Sequence, residues 1–513
     1  MKNQSILLIH PPVAKPGEPP AGLAKLAAAL RADGIDCRTW DASLDGILGL
    51  LAKPAADATD TWTRRALAHR RENTDALRSI SLYGNRDRYK RAVMDLNRVL
   101  YAAGKPAGVA LSLANYTHPD LSPVRSGDLI RAAETFRDNP FFPIFSSQLE
   151  ELFKEREPHV VGLSINFMSQ ALCAFAMIGC IRSMLGGATI VCGGGLVTSW
   201  LNIPGLGNPF HGLVDELVGG PGEARLISMC TGSRPDAPST TGYDFSDMGM
   251  DRYLSPVPVR PYAASRGCWW KKCAFCPETA EDAPYRCEDA ATTIDDLLRL
   301  NARFPAGLIH FLDNALSPRL LEEMTGRPPG LPWYGFARVT RHLADADFVQ
   351  RLKQSGCVML KLGIESGDQQ VLSALGKGID SEMAASVLHT LHKAGIATYV
   401  YLLFGTPAED EARARRTLDF TLAHSGAIDF LNLAVFNLPA HSREAAQLET
   451  LDFYEGDLSL YREFVHPGGW NRDRVRRFLT REFKKPAPIR RILNNDPPFF
   501  TSNHAPFFHS TPI

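Results

Sequence analysis

Between Tyr262 and Phe436, strand-length apolar runs alternate with helical stretches, and this alternation constrains the fold more than any other feature. The runs are Tyr262–Ser265, Leu308–Leu312, Trp333–Val339, Cys357–Ile364, Ile396–Phe404 and Ile428–Phe436. Helical periodicity near Ile294–Asn301, Ala346–Ser355, Ser381–Lys393 and Asp410–His424 separates most of them. Repeated β/α units predict a parallel barrel or partial barrel, in which chemistry sits at the carboxyl ends of the strands. Those ends are polar here: Asp313 after the second run, Arg338 after the third, Glu365 and Ser366 after the fourth, and Gly405 to Glu409 after the fifth. Taken singly, Asp313 or Glu365 would serve as a structural hydrogen-bonding carboxylate.

A second α/β pattern opens the chain. Ile6–Ile9 reads as a strand, Pro11 and Pro12 as a turn, Gly22–Ala32 as a helix with Leu23, Leu26 and Leu30 on one stripe, and Ile35–Trp40 as a second strand ending at Asp41. Such a β-α-β unit begins a doubly wound parallel sheet. The pattern breaks between about 46 and 157, where a charged helical stretch (Thr63–Tyr101) and a Pro- and polar-rich segment (Lys105–Pro143) read as an insertion. Within it Val93, Leu96, Val99 and Leu100 form a packing stripe, and Arg64, Arg65, Arg70 and Arg71 form a solvated face tempered by Glu72 and Asp75. The sheet resumes with Val160–Ile165, a helix over Ser169–Leu185, Thr189–Cys192 running into Gly193, Gly194 and Gly195, and Leu213–Val218 leading to Gly219–Glu223. Glycines just past strand ends let a ligand approach the backbone at the edge where open α/β sheets bind cofactors, though they also serve as plain tight turns.

Length and composition add boundaries to this picture. A chain of 513 residues exceeds one ordinary domain. The expected division is an N-terminal doubly wound domain (1–230), a Ser-, Thr-, Pro- and Asp-rich linker (231–261) whose Asp244–Asp247 and Tyr253–Pro256 lie against the next domain, a barrel (262–440) and a C-terminal cap (441–513). Polar helices are expected after Asn437, then a turn around His466, a basic helical face (Arg472–Arg491) and a Phe-rich tail. With 56 basic and 56 acidic residues, no global field favours nucleic acid or an anionic membrane. No apolar segment approaches the ~20 residues needed to span a bilayer, and the N-terminal run is too brief for a signal-peptide core. The ten cysteines are scattered apart from one cluster, which suits a reducing cytoplasm better than a disulfide framework.

That cluster is Ser265-Arg-Gly-Cys-Trp-Trp-Lys-Lys-Cys-Ala-Phe-Cys-Pro-Glu278, with Cys268, Cys273 and Cys276 inside nine positions. Three thiolates so close point to a metal, because soft ligands select zinc, copper(I) or iron-sulfur iron and short spacers aim several sulfurs at one centre. A zinc site would need a fourth ligand, and Cys287 is the nearest. A four-iron cluster on three cysteines instead leaves one iron open to a small molecule.

The stretch Ser-Arg-Gly-Cys-x4-Cys-Ala-Phe-Cys-Pro resembles the cluster loop of radical S-adenosylmethionine (radical SAM) enzymes. The ordered series of strand ends after it, with Gly363-Ile-Glu-Ser-Gly367-x-Gln-x-Val-Leu372 and Lys377-Gly378, resembles the radical SAM core over roughly 262–440. The four-residue spacer Trp269–Lys272, where most of the superfamily has three, resembles a variant among cobalamin-binding members. Upstream, Ser164-x-Asn166 and, 26 residues on, Gly193-Gly194 resemble the Ser-x-Leu and Gly-Gly elements of cobalamin-binding Rossmann-like domains, with Asn166 in place of Leu. No Asp-x-His-x-x-Gly is present to supply a lower cobalt ligand, and His10 at the first strand's end stands as the candidate substitute, although a lone strand-end histidine is more often structural.

The resemblance implies an α/β architecture: a Rossmann-like domain, a radical SAM partial (β/α)6 barrel and a small cap. It implies that Cys268, Cys273 and Cys276 ligate a [4Fe-4S] cluster. It places Phe275, Glu365, Ser366, Gly405 and Glu409 around S-adenosylmethionine, and Ser164, Gly193, Gly194 and Gly195 around cobalamin. Trp269 and Trp270 would cover the cluster or a corrin, or simply pack, and His466 is a candidate acid or base. The activity implied is a cobalamin-dependent methyltransferase acting on an unactivated carbon of a small-molecule or peptide substrate, with a flavodoxin or ferredoxin as electron donor. A radical dehydratase, ring-contracting or cyclising enzyme is the alternative, and a zinc-stapled binding protein is a third reading that leaves the barrel unexplained.

Overall fold

A computed structural model of the chain describes residues 5–53, 60–232, 242–452, 455–496 and 505–508. The start of the chain, part of the expected linker (233–241) and most of the Phe-rich tail lie outside the described residues. Backbone contacts divide the chain into two compact units, one mainly Met1–Val259 and the other mainly Arg260–Tyr454 with Leu460–Pro497.

The first unit is built on a five-stranded sheet of β1 (Ile6–His10), β2 (Cys37–Asp41), β3 (Val160–Ser164), β4 (Thr189–Gly193) and β5 (Glu216–Leu217). Their spatial order is β2-β1-β3-β4-β5, and every neighbouring pair is parallel. Strand order therefore reverses between β1 and β3, the position at which doubly wound sheets open a crevice beyond their carboxyl ends. β1 is buried along its whole length, as the central strand of a sheet covered on both faces must be.

The insertion supplies part of that cover. Helix Met168–Met184 is buried continuously from Gln170 to Ile181, so it needs partners all round rather than on one stripe. Helix Ser126–Glu134 of the insertion packs on it closely enough that a Cβ on Gly179 would fall 1.9 Å from the Ala133 carbonyl oxygen. The stripe Val93, Leu96, Val99 and Leu100 is buried on helix Arg86–Gly104, as its spacing predicts. Asp244–Asp247 and Tyr253–Pro256, expected against the next domain, are anchored on the first unit. Asp244 pairs with Arg31 at 3.3 Å, the Leu254 N–H donates to the Pro16 carbonyl at 2.7 Å, and the Tyr253 hydroxyl donates to Asp41 at 2.8 Å. Composition marks the segment as irregular but carries no information about which surface it covers.

The second unit is built on β6 (Val259–Tyr262), β7 (Leu308–Phe311), β8 (Trp333–Ala337), β9 (Cys357–Glu365), β10 (Ala397–Phe404) and β11 (Phe430–Val435), arranged side by side in sequence order. From β7 onward each neighbouring pair is parallel. This is the expected partial (β/α)6 barrel. Its crossover helices Ala290–Arg303, Pro318–Gly326, Ala346–Gln354, Ser381–Lys393 and Glu411–Ala423 each begin behind a side-chain cap: Asp289, Ser317, Asp345, Asp380 and Asp410. A cap satisfies an orphan N–H and fixes where the helix starts, and with it the length of the loop after each strand.

After β11 the polar helices expected from the sequence are replaced by a three-stranded antiparallel ribbon, Leu438–Pro439, Thr450–Asp452 and Tyr461–Phe464. Strands of two to four residues are too short to display a period of two, so their pattern reads as polar helix or loop. Helices Arg472–Phe478 and Ala487–Asn495 follow. Among the described residues no helix is long and apolar enough to cross a membrane.

Candidate functional site

The cysteine loop is closed at its base by a short ribbon in which Arg286 and Cys287 pair with Arg266 and Ser265. Gly267 stands at its entrance with φ +71°, where a Cβ would lie 2.8 Å from the Pro284 carbonyl oxygen, so only glycine fits the turn. The loop is then fastened to the segments that follow β7 and β9. Trp269 Nε1 donates to the Leu316 carbonyl at 3.2 Å, Trp270 Nε1 to the Gly376 carbonyl at 2.9 Å, and the Ala274 N–H to the Leu375 carbonyl at 3.0 Å. Gly378, at φ +67°, leaves the Trp270 ring its place, since a Cβ there would fall 2.1 Å from Cζ2.

Cys273 is buried, Cys268 and Cys276 are half-buried, and none of the three is in a disulfide. The Cys276 N–H donates to the Cys273 carbonyl at 3.3 Å. Among the described residues no group of three or more His, Cys, Asp or Glu side chains converges closely enough to hold a metal ion as it stands. The loop brings Cys276 near Cys273 without drawing three sulfurs to a point, and Cys287 is exposed in the ribbon at its base. The donors themselves suit thiophilic iron, and the charges beside them suit thiolates. Burial pushes the Cys273 thiol up, whereas Lys377 and Arg338 pull it down.

Arg338, at the end of β8, is buried and reaches Cys273 Sγ with Nη1 at 3.7 Å while Nη2 donates to the Lys377 carbonyl. Its guanidinium carbon lies 4.4 Å from the Trp270 ring and 5.5 Å from the Trp269 ring. Lys377 in turn pairs with Glu365 at 2.8 Å and sits 5.5 Å from the Phe275 ring. Glu365 ends β9 with φ +71° beside a register shift at Gly363, a left-handed conformation that costs a residue bearing Cβ about 1–2 kcal/mol. Chain so strained persists where the surroundings over-determine it, as at functional sites. Arg338 and Lys377 carry no site role in the sequence reading. The signal for Arg338 was only its place at a strand end.

Ser366 is fully buried, its hydroxyl 3.0 Å from that of Thr417 and accepting the Asp368 N–H at 3.1 Å. Asp313 is also buried, accepting from the Ser265 hydroxyl at 2.5 Å and the Ala264 N–H at 3.1 Å, and so braces the entrance of the cysteine loop. At the end of β10 the Gly405 N–H donates to Glu409 Oε2 at 2.5 Å, and Trp470 Nε1 donates to the same oxygen at 3.0 Å. Glu409 Oε1 and the Thr406 hydroxyl are buried without hydrogen-bond partners. His466 is buried: Nδ1 accepts the Gly468 and Trp470 N–H groups at 3.0 and 3.2 Å, and Nε2 donates to the Thr406 carbonyl at 2.9 Å. Both ring nitrogens are therefore committed to holding the turn, and the acid/base role is replaced by a structural one.

Burial lifts the Glu409 carboxyl to about 7 against the hydrogen bonds from Gly405 and Trp470. A raised acid binds more protons folded than unfolded, so its contribution is fully present below the unfolded value near 4.5 and is lost as pH rises to about 7. At 1.36 kcal/mol per unit the loss is about 3 kcal/mol. The Glu409 contribution should be lost between about pH 4.5 and pH 7 in the wild type, and Glu409→Gln, which still accepts both N–H groups, should flatten that part of the profile. Thermal melts across this range measure it, and an equally steep Gln profile would assign the slope elsewhere.

In the first unit, β3 and β4 end beside each other, with Ser164 opposite Gly193. Asn166 Nδ2 donates to the Ser164 hydroxyl at 3.1 Å and its Oδ1 accepts the Gly195 N–H at 3.0 Å, so Ser164, Asn166 and the three glycines form one cluster. Gly194 has φ +102°, and a Cβ on it would fall 2.5 Å from the Ile165 carbonyl oxygen. Ser164 Oγ lies 3.8 Å from where a Cβ on Gly22 would stand, across the β1/β3 crevice. His10 is buried, with Gln170 Nε2 at 3.4 and 3.3 Å from its ring nitrogens, and burial lowers its pKa. It is a packed strand-end histidine rather than an offered ligand.

Residues 262–421 match the radical SAM superfamily model. An uncharacterized methyltransferase, PH0819 of Pyrococcus horikoshii, is 26% identical over 179 residues, which are 33% of this chain. The matched stretches span 38% and 43% of the curated relatives' own lengths. Among solved structures, the radical S-adenosylmethionine methyltransferase TsrM from Kitasatospora setae, with tryptophan and a SAM analogue bound, aligns with TM-score 0.59 over 94% of this chain and 89% of that one, at 16% identity. A second TsrM structure holds cobalamin and a [4Fe-4S] cluster. The cobalamin-dependent radical enzyme OxsB with aqua-cobalamin aligns with TM-score 0.55 over 90% of this chain and 64% of that one, at 13% identity. At such identities these likenesses are ones of fold.

Proposed function

We propose that this chain, whose residues 262–421 carry a radical SAM domain, is a cobalamin-dependent radical SAM methyltransferase acting on an unactivated carbon of a small-molecule or peptide substrate. The observation that carries the reading is the thiol loop fastened over the carboxyl ends of β7 to β9, with Arg338, Lys377 and Glu365 gathered beside Cys273. The fold shared with TsrM and OxsB over nine-tenths or more of this chain supports it.

Cys268, Cys273 and Cys276 would hold a [4Fe-4S] cluster, and Cys287 would stay outside it. Phe275, Glu365, Ser366, Gly405 and Glu409 would hold S-adenosylmethionine, and Ser164 with Gly193, Gly194 and Gly195 would line the cobalamin site. Bound together, these groups supply a carbon-centred radical and a transferable methyl group. The protein's part is to bind, orient and exclude water. Glu365, paired with Lys377, is an anion fixed at the end of β9 and suited to an ammonium group; the unpartnered Thr406 hydroxyl and Glu409 Oε1 offer a donor and an acceptor at the end of β10. Gly194 lets the backbone close against the Ile165 carbonyl and Asn166, which holds the three glycines at the carboxyl end of β4. Under this reading the units are a cobalamin domain (1–230), a linker (231–261), the catalytic barrel (262–440) and a cap (441–513), and a low-potential one-electron protein donor is required.

Anaerobic purification with iron, sulfide, zinc and cobalt analysis tests this directly. About four irons with matching sulfide and one corrin per chain are expected. Zinc without sulfide would overturn the reading, and a loaded cluster with no corrin binding would leave a radical SAM enzyme that is not a cobalamin methyltransferase.

A further inference from the structure

We infer that Arg338 is a positioning residue for the iron-sulfur site: clamped beside the two indoles of the extended cysteine spacer, it donates a hydrogen bond to Sγ of Cys273 and makes the cluster easier to reduce. This rests on the proposed cluster assignment, and it concerns what the chain adds to it.

The geometry is unusual for a plain packing arginine. Four groups converge on one buried guanidinium: Cys273 Sγ at 3.7 Å, the Lys377 carbonyl, and the rings of Trp270 at 4.4 Å and Trp269 at 5.5 Å. Both rings are fixed in turn by indole N–H bonds to the Leu316 and Gly376 carbonyls. A planar cation with several N–H donors suits simultaneous bonding in its plane and contact with an aromatic face. Both tryptophans belong to the four-residue spacer Trp269–Lys272, so the longer spacer has a use that the thiols alone do not explain. Gly378 is needed for the same clamp, since a Cβ there would fall 2.1 Å from the Trp270 ring.

Adding an electron to the cluster makes its sulfurs more negative, so a cationic N–H donor stabilises the reduced form more than the oxidised one. Hydrogen bonds to the sulfurs and burial are the levers that set such potentials. The step is a one-electron reduction by a low-potential donor protein, or by dithionite in the laboratory. No bond of the protein breaks, and the electron resides on the cluster.

The test compares reconstituted wild-type chain with Arg338→Gln, Arg338→Lys and Trp270→Leu. Iron per chain and the midpoint potential, followed by electron paramagnetic resonance during redox titration, are the readouts. Arg338→Gln should keep its iron but lose roughly tenfold in the reduction equilibrium, a midpoint ~59 mV lower for one electron. Trp270→Leu should shift the midpoint in the same direction by less, and Arg338→Lys should recover part of the loss. Wild-type midpoints in both Arg338→Gln and Trp270→Leu with full iron overturn the inference while sparing the cluster. If Arg338→Gln fails to load iron, a wild-type midpoint in loaded Trp270→Leu overturns it and a lowered one upholds it. A wild-type chain that binds no cluster overturns the proposed function itself.

Discussion

Replacing Cys273 by alanine should abolish both iron-sulfur loading and reductive cleavage of S-adenosylmethionine. Of the three thiols Cys273 is the buried one and the one contacted by Arg338, and its carbonyl receives the Cys276 N–H that shapes the rest of the loop. A three-cysteine site with an open iron has no spare ligand. Cys287, the next thiol along the chain, is exposed in the ribbon at the loop's base. Iron should drop from about four per chain to near zero, and 5′-deoxyadenosine formed under dithionite to background. Removing one sulfur atom from the core should cost about 1 kcal/mol, so the far-ultraviolet circular dichroism should persist and separate lost chemistry from lost fold. Wild-type iron and cleavage in this variant would refute the ligand assignment, whereas the same substitution at Cys287 should leave both intact.

The second large effect is expected in the other unit. Gly194→Ala should destabilise the protein by about 3 kcal/mol, combining the strain of a left-handed alanine with overpacking. The Cβ would meet the Ile165 carbonyl at 2.5 Å and Asn166 Oδ1 at 2.9 Å, and a backbone carbonyl within a sheet connection has nowhere to move. The Asn166 links to Ser164 and Gly195 would open with it, and corrin binding should be lost even below the melting temperature. Gly186→Ala is the matched control, because nothing lies within 4 Å of its Cβ position, and it should stay within about 0.5 kcal/mol of wild type. Chemical denaturation and a cobalamin titration read both quantities. Full corrin affinity in a folded Gly194→Ala protein would remove the glycines from the site.

Much of the fold was readable because strands buried on both faces appear as continuous apolar runs. Cys357–Ile364 and Ile396–Phe404 were expected and Cys357–Glu365 and Ala397–Phe404 observed, a difference of one residue at an end. Reading failed where elements are short or irregular. The ribbon after Asn437 and the docking of Asp244–Pro256 on the first unit have no periodic signature, and their surfaces come from residues far away in the chain. His466 was legible as a turn residue but not as a buried one, because its burial depends on Thr406, sixty positions upstream.

The same division holds at the site. The sequence by itself determined which thiols are available, which glycines flank the strand ends, and that two parallel α/β arrays exist, since spacing and periodicity are properties of a local stretch. Only the tertiary structure decided that β1 and β3 flank the crevice at Ser164, and that Arg338 reaches Cys273 from 65 positions away while Lys377 meets Glu365. The reason is physical: the register of neighbouring strands and the length of each crossover decide which side chains share a carboxyl end, and these follow from packing summed over the whole unit.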